Sequence, residues 1–222
     1  RHAVIIGSGS HRYEVVEGWG KLPEGIAYGY THGVVEDAAG NIYIHNTSKD
    51  SVIGFSADGK FLRSWGEEYA GGAHGLFYNK EQDGEYLYLS ATSKGKVVKT
   101  NLTGKVIYAI GQPDRPDIYD GQKKKFVPTE TAVAANGEVY VADGYGQPYI
   151  HRYGPKGEYR GSFGGPGDGP GQLKNCHGIK IDTRGGEPLV LVSDRGNERL
   201  QYFTLDGKHV RLEPLSLAHH AE

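Results

Sequence analysis

The chain has 222 residues, 35 of them glycine and 16 tyrosine, with one cysteine, no methionine and a formal net charge of −2. It is long enough for one sizeable core, too evenly apolar for disorder, and unable to form an intrachain disulfide. Nothing electrostatic in its balanced charge points to nucleic acid or an anionic membrane, and no apolar stretch reaches transmembrane length.

Taken in chain order, the first element is "RYEVVEGWGKLPEG", whose residues 12–20 resemble the later strand "KFLRSWGEE". Four copies of one pattern follow, about residues 30–66, 72–111, 127–164 and 175–214. Each opens on a short apolar strand, "GVVED", "GLFYN", "TAVAA" or "GIKID". A period-2 strand comes next, "NIYIHN", "EYLYLSAT", "EVYVADG" or "PLVLVSD". A hairpin closes each copy, and its turn glycines Gly59, Gly104, Gly157 and Gly207 lie 45, 53 and 50 residues apart. Four strands recurring at this period predict an all-β fold, a β-propeller of four-stranded antiparallel blades, with four to five blades in this chain and six when complete. The whole chain reads as one propeller domain. Residues 12–20 would be the outer strand of the closing blade, and the chain would be incomplete at its C-terminus.

His32, His74 and His177 each stand just ahead of a first strand and each is followed by glycine. Propeller topology puts first-strand starts and the loops after second strands on one rim. Three imidazoles converging there make a candidate site for zinc or another divalent transition metal. Thr129 holds the equivalent place in the third repeat, with Glu130 beside it, and Asn46 ends the first copy's second strand; these are further channel-mouth candidates. Tyr145 and Arg195 follow second strands on the same rim. A tyrosine there would move a proton, and an arginine would clamp a substrate carboxylate. Asp143 and Asp194 recur at equivalent positions and read as turn residues accepting backbone N–H bonds. The remaining histidines, and the basic run Lys123–Lys125, read as solvated.

The repeat resembles NHL repeats and, over about residues 30–205, the catalytic core of peptidyl-α-hydroxyglycine α-amidating lyase. "AHGLFYN" and "CHGIKI" are similar to that family's zinc-histidine motifs; "VPTETAV" with "VADGY" and "VSDRGNERLQYF" are similar to the segments bearing its catalytic tyrosine and an active-site arginine. The resemblance implies catalytic roles for Tyr145 and Arg195 and a structural calcium on the carbonyls of Val34 and Leu76. Departures accompany it. Asn46 stands where the family has a second arginine, Gly146 where it has a cysteine, and the family places no zinc ligand at His32. Two functions follow as expectations: a metal-dependent lyase or hydrolase acting on a small molecule or peptide, or a non-catalytic NHL propeller binding a peptide, glycan or protein. The resemblance favours export from the cell. A start at Arg1 without methionine points to a trimmed N-terminus.

Overall fold

The computed structural model describes residues 4–120 and 122–214. Among them the chain forms a two-stranded hairpin and four four-stranded antiparallel sheets. The hairpin pairs β1 (Val4–Ser8) with β2 (His11–Val15). The sequence reading extends a strand over residues 12–20, but β2 ends at Val15 and residues 17–20 turn.

The first blade comprises β3 (Thr31–Glu36), β4 (Ile42–Asn46), β5 (Val52–Phe55) and β6 (Phe61–Trp65). The second comprises β7 (Ala73–Lys80), β8 (Glu85–Ala91), β9 (Lys96–Asn101) and β10 (Val106–Ile110). The third is β11 (Glu130–Val133), β12 (Val139–Ala142), β13 (Tyr149–Tyr153) and β14 (Tyr159–Gly164). The fourth is β15 (Cys176–Asp182), β16 (Leu189–Asp194), β17 (Arg199–Thr204) and β18 (His209–Pro214). Strands follow chain order across each sheet, so every connection within a blade is a hairpin. These are blades of a β-propeller.

First strands stack on one another, β3 on β7, β7 on β11 and β11 on β15. Three apolar cores fill the gaps between successive blades. Tyr43, Leu76 and Leu89 join the first two, Tyr88, Ile110 and Val141 the next pair, and Tyr140, Ile150 and Phe203 the last. The long connection between the second and third blades contributes Ile118, Tyr119 and Phe126 to the middle core. Among the described residues β3 and β15 share no comparable packing, and Val34 on β3 is 67% exposed.

Each hairpin-turn glycine has φ between +82° and +91°, which a side chain would strain. The same glycine also seats an aromatic ring from the segment ahead of its blade. A Cβ on Gly59 would lie 2.7 Å from Trp19, one on Gly104 2.8 Å from Trp65, and one on Gly207 2.6 Å from Phe163. Trp19, just after β2, thus stands to the first blade as Trp65 stands to the second. Its indole N–H donates to the Ala57 carbonyl at 3.0 Å.

Two of the remaining histidines correct the sequence reading. His45 and His151 are fully buried, on β4 and β13. His11 is exposed and His209 partly so; His2, His219 and His220 lie outside the described residues.

Candidate functional site

The three His-Gly pairs sit where the strand ladder slips. In the first blade Thr31 pairs with Asn46 and Gly33 with His45, leaving His32 as an extra residue. The register shifts between Ala73 and Leu76 in the second blade, and between Cys176 and Gly178 in the fourth. Such bulges re-aim one side chain out of the pleat. The third blade, with Thr129, has no such shift. The glycine beside two of the histidines is required by the neighbouring first strand. A Cβ on Gly33 would lie 2.7 Å from the Leu76 nitrogen, and one on Gly75 2.6 Å from the Thr129 carbonyl oxygen and 2.3 Å from Glu130 Oε1. Histidine supplies the aimed ring and glycine the close approach of the next blade.

The three rings do meet. His74 lies 4.8 Å, centroid to centroid, from both His32 and His177. Tyr145, on the loop after β12, brings its hydroxyl 3.2 Å from His74 Nε2 and 2.9 Å from His177 Nε2. His74 Nδ1 lies 2.7 Å from the Thr129 carbonyl, which also accepts the Gly75 N–H. A carbonyl only accepts, so His74 carries its proton on Nδ1. Burial holds the His74 pKa below the usual histidine value, so the ring is neutral and Nε2 accepts. The Tyr145 hydroxyl therefore donates to His74, and its oxygen accepts the His177 Nε2–H. Burial first, then His74 and Arg195, push His177 down to about 4. The Arg195 guanidinium lies 5.6 Å from the Tyr145 ring centroid. His32, His74, His177, Tyr145 and Arg195 thus form one cluster.

The cluster suits proton transfer better than it suits a metal tripod. Rings of His32 and His74 stack at 23°, so their nitrogens do not aim at a common point, and the Tyr145 hydroxyl fills the space between His74 and His177. Among the described residues no three His, Cys, Asp or Glu side chains are grouped to hold an ion. His74 and His177 fit a metal as a pair of inward nitrogens; the three-histidine set does not fit as it stands.

Glu130 packs beside Gly75, and burial pushes its carboxyl up to about 7. Thr129 supplies its carbonyl to His74 rather than its side chain. Asn46 is buried and engaged within its own loop, accepting from the Gly29 and Ser48 N–H groups and donating to the Asp50 carbonyl. Val34 and Leu76 lie in the first-strand ladders, opposite Ile44 and Leu89. Sequence reasoning missed His45, whose Nδ1 lies 3.3 Å from the Gly75 carbonyl and whose buried Nε2 has no partner among the described residues. Its inward place in the alternation of "NIYIHN" was the available signal.

Asp143 anchors the Tyr145 loop. Its Oδ1 accepts the Val127 N–H at 2.6 Å, and its Oδ2 accepts the Gln147 N–H and the Tyr119 hydroxyl, both at 2.7 Å. Tyr119 accepts in turn from His151 Nε2 at 2.6 Å, and His151 Nδ1 takes the Ser162 hydroxyl at 2.6 Å. Asp194 ties Lys174 in the fourth blade as Asn46 ties Gly29 in the first.

Comparison with known proteins agrees with the propeller fold. The chain is 27% identical over 203 residues to NHL repeat-containing protein 3 of Homo sapiens, across 87% of this chain and 57% of that protein. The chain is similar to NHL-repeat proteins. It is also 28% identical over 140 residues to the probable peptidyl-alpha-hydroxyglycine alpha-amidating lyase pgal-1 of Caenorhabditis elegans, across 59% of this chain and 38% of that protein. No family model matches. Among solved structures, streptogramin B lyase superposes with a TM-score of 0.66 at 14% identity, covering 86% of this chain and 56% of its own. Virginiamycin B lyase from Staphylococcus aureus gives 0.62 at 15%, covering 84% and 56%. At these identities the structural likeness concerns the fold alone. The chain spans a little over half the length of the NHL-repeat relatives it matches.

Proposed function

We propose that the chain carries a lyase- or hydrolase-type reaction centre in which the Tyr145 hydroxyl moves a proton. The observation that carries this is that hydroxyl, held at 3.2 and 2.9 Å between His74 Nε2 and His177 Nε2. Similarity to an amidating lyase makes a peptidyl-α-hydroxyglycine the first substrate to try. Cleaving the C–N bond of such a molecule removes the hydroxyl proton as the carbonyl forms, and the departing nitrogen takes up a proton. Tyr145 and its two imidazoles supply an acceptor and a donor within one hydrogen-bonded row. Arg195 would orient the substrate carboxylate from above the tyrosine ring. Zinc or another divalent ion bound at the centre would polarise a substrate oxygen or acidify a water. His74 and His177 are the side chains that would hold it, each exchanging its Nε2 bond to Tyr145 for the ion.

The test is turnover of a peptidyl-α-hydroxyglycine by the purified protein, with metal content measured beside it. Tyr145→Phe should lower kcat by about 10²–10⁴-fold with its melting temperature unchanged. An absence of turnover in the unaltered protein, metal-loaded or not, would remove the reading.

A non-catalytic propeller that binds a partner is the second reading. NHL repeat-containing protein 3 matches more of this chain than the lyase does, and that favours it. Partner affinity indifferent to Tyr145→Phe and His74→Ala would support it.

A further inference from the structure

Two open clefts flank Tyr145. The larger, about 730 Å³, runs between the second and third blades and is lined by Ser93, Lys94, Gln112, Lys125 and Tyr145 among others. The smaller lies between the third and fourth blades and includes Tyr145, Lys174 and Asn175. Arg195 stands over the tyrosine ring. Four cationic side chains therefore border one rim of a chain whose net charge is −2, and no carboxylate lines either cleft among the described residues.

The lysines of the larger cleft project from anchored backbone. Lys94 ends a 3-10 turn, Thr92–Lys94, whose Thr92 hydroxyl donates to the Gly72 carbonyl at 2.9 Å. Lys125 is the last residue of the basic run. Asp120 Oδ1 accepts the N–H groups of Gln122, Lys123 and Lys124, and Gln112 accepts that of Phe126. Phe126 is buried in the core between the blades, which fixes the residue beside it. Lys94 and Lys125 are both exposed, but two ammonium groups bordering one concave cleft add their positive potentials there, and compact ammoniums suit a small oxyanion.

We propose that this cleft is a subsite for an oxyanion, a carboxylate or phosphate, on a ligand whose other end lies at Tyr145. The ligand would thus carry a second negative charge beyond the group facing Arg195. Only the placement of the reacting end rests on the reading above.

The experiment needs neither turnover nor metal. Inorganic phosphate and succinate are titrated separately into the full chain at low salt, following backbone amide shifts in two-dimensional NMR. Saturable shifts of Lys94, Gly95 and Phe126 are expected, weakened about tenfold by Lys94→Gln with Lys125→Gln and left within about twofold by Arg195→Gln. Tighter saturation by one probe assigns the group as phosphate or carboxylate. Shifts that do not saturate, or that survive loss of both lysines, would overturn the subsite. Failure of catalysis alone would leave these shifts intact, which separates the two proposals.

Discussion

Tyr145 shows how a single side chain takes its chemistry from its partners. Its hydroxyl has one proton to give, and the Thr129 carbonyl, by holding His74 in the Nδ1–H form, decides which way it is given. His74→Ala removes the acceptor from one end of the row; it should reduce turnover at least as much as Tyr145→Phe does, checked by kcat on the same substrate. The glycine beside His74 is equally specific. Gly75→Ala would push a methyl to 2.3 Å from Glu130 Oε1 and 2.6 Å from the Thr129 carbonyl oxygen. Backbone cannot yield as a long side chain would. The cost should be about 1–3 kcal/mol, read from urea unfolding. Gly178→Ala serves as the control, because its nearest neighbour, Ser193 Cβ, lies at an ordinary 3.5 Å.

At the scale of elements, the loops after second strands are held by one recurring device. Asn46, Asp143 and Asp194 each accept an N–H from the segment that leads into their blade's first strand. The bond couples the position of a rim residue such as Tyr145 to the start of that strand. Asp143→Ala leaves the Val127 and Gln147 N–H groups and the Tyr119 hydroxyl without their acceptor. Each buried group left unsatisfied costs about 1–3 kcal/mol, so the expected result is a large fall in melting temperature. Aromatic wedges do comparable work on the outer side. Trp65 fills the space over Gly104, and Trp65→Ala should lose about 3 kcal/mol in chemical denaturation.

For the whole molecule, buried titratable groups set the acid response, and they act in opposing senses. Burial first pushes His45 down to about 4 and His151 to about 3. The unfolded chain binds protons at these sites below about pH 6.5, where the folded chain does not. Their stabilising contribution is complete above that pH and drains away as pH falls toward 4 and 3. Asp143 and Glu130 are raised to about 6 and about 7, chiefly by burial. Their contribution is present below about pH 4 and is lost as pH rises through those folded values. Glu130→Gln should therefore raise the melting temperature at pH 8 and leave it near that of the parent at pH 4. His45→Gln should flatten the decline between pH 6.5 and 4. Calorimetry across this range checks both.

The propeller was legible in the residues because its signals are local. A hairpin glycine at positive φ, alternation at period two and a blade-length repeat each depend on neighbours a few positions apart. Topology then placed the starts of first strands on one rim, which is why the His-Gly pairs stood out. The bulges, the proton positions and the burial of His45 and His151 depend on how blades stack, and they join residues as far apart as His74 and Tyr145. No short segment encodes such contacts. Only the packed structure decided that the His32 and His74 rings would lie nearly parallel and that the Tyr145 hydroxyl would stand between His74 and His177, because those positions follow from first strands pressed together through a missing Cβ and from the loop that Asp143 ties to the start of its blade.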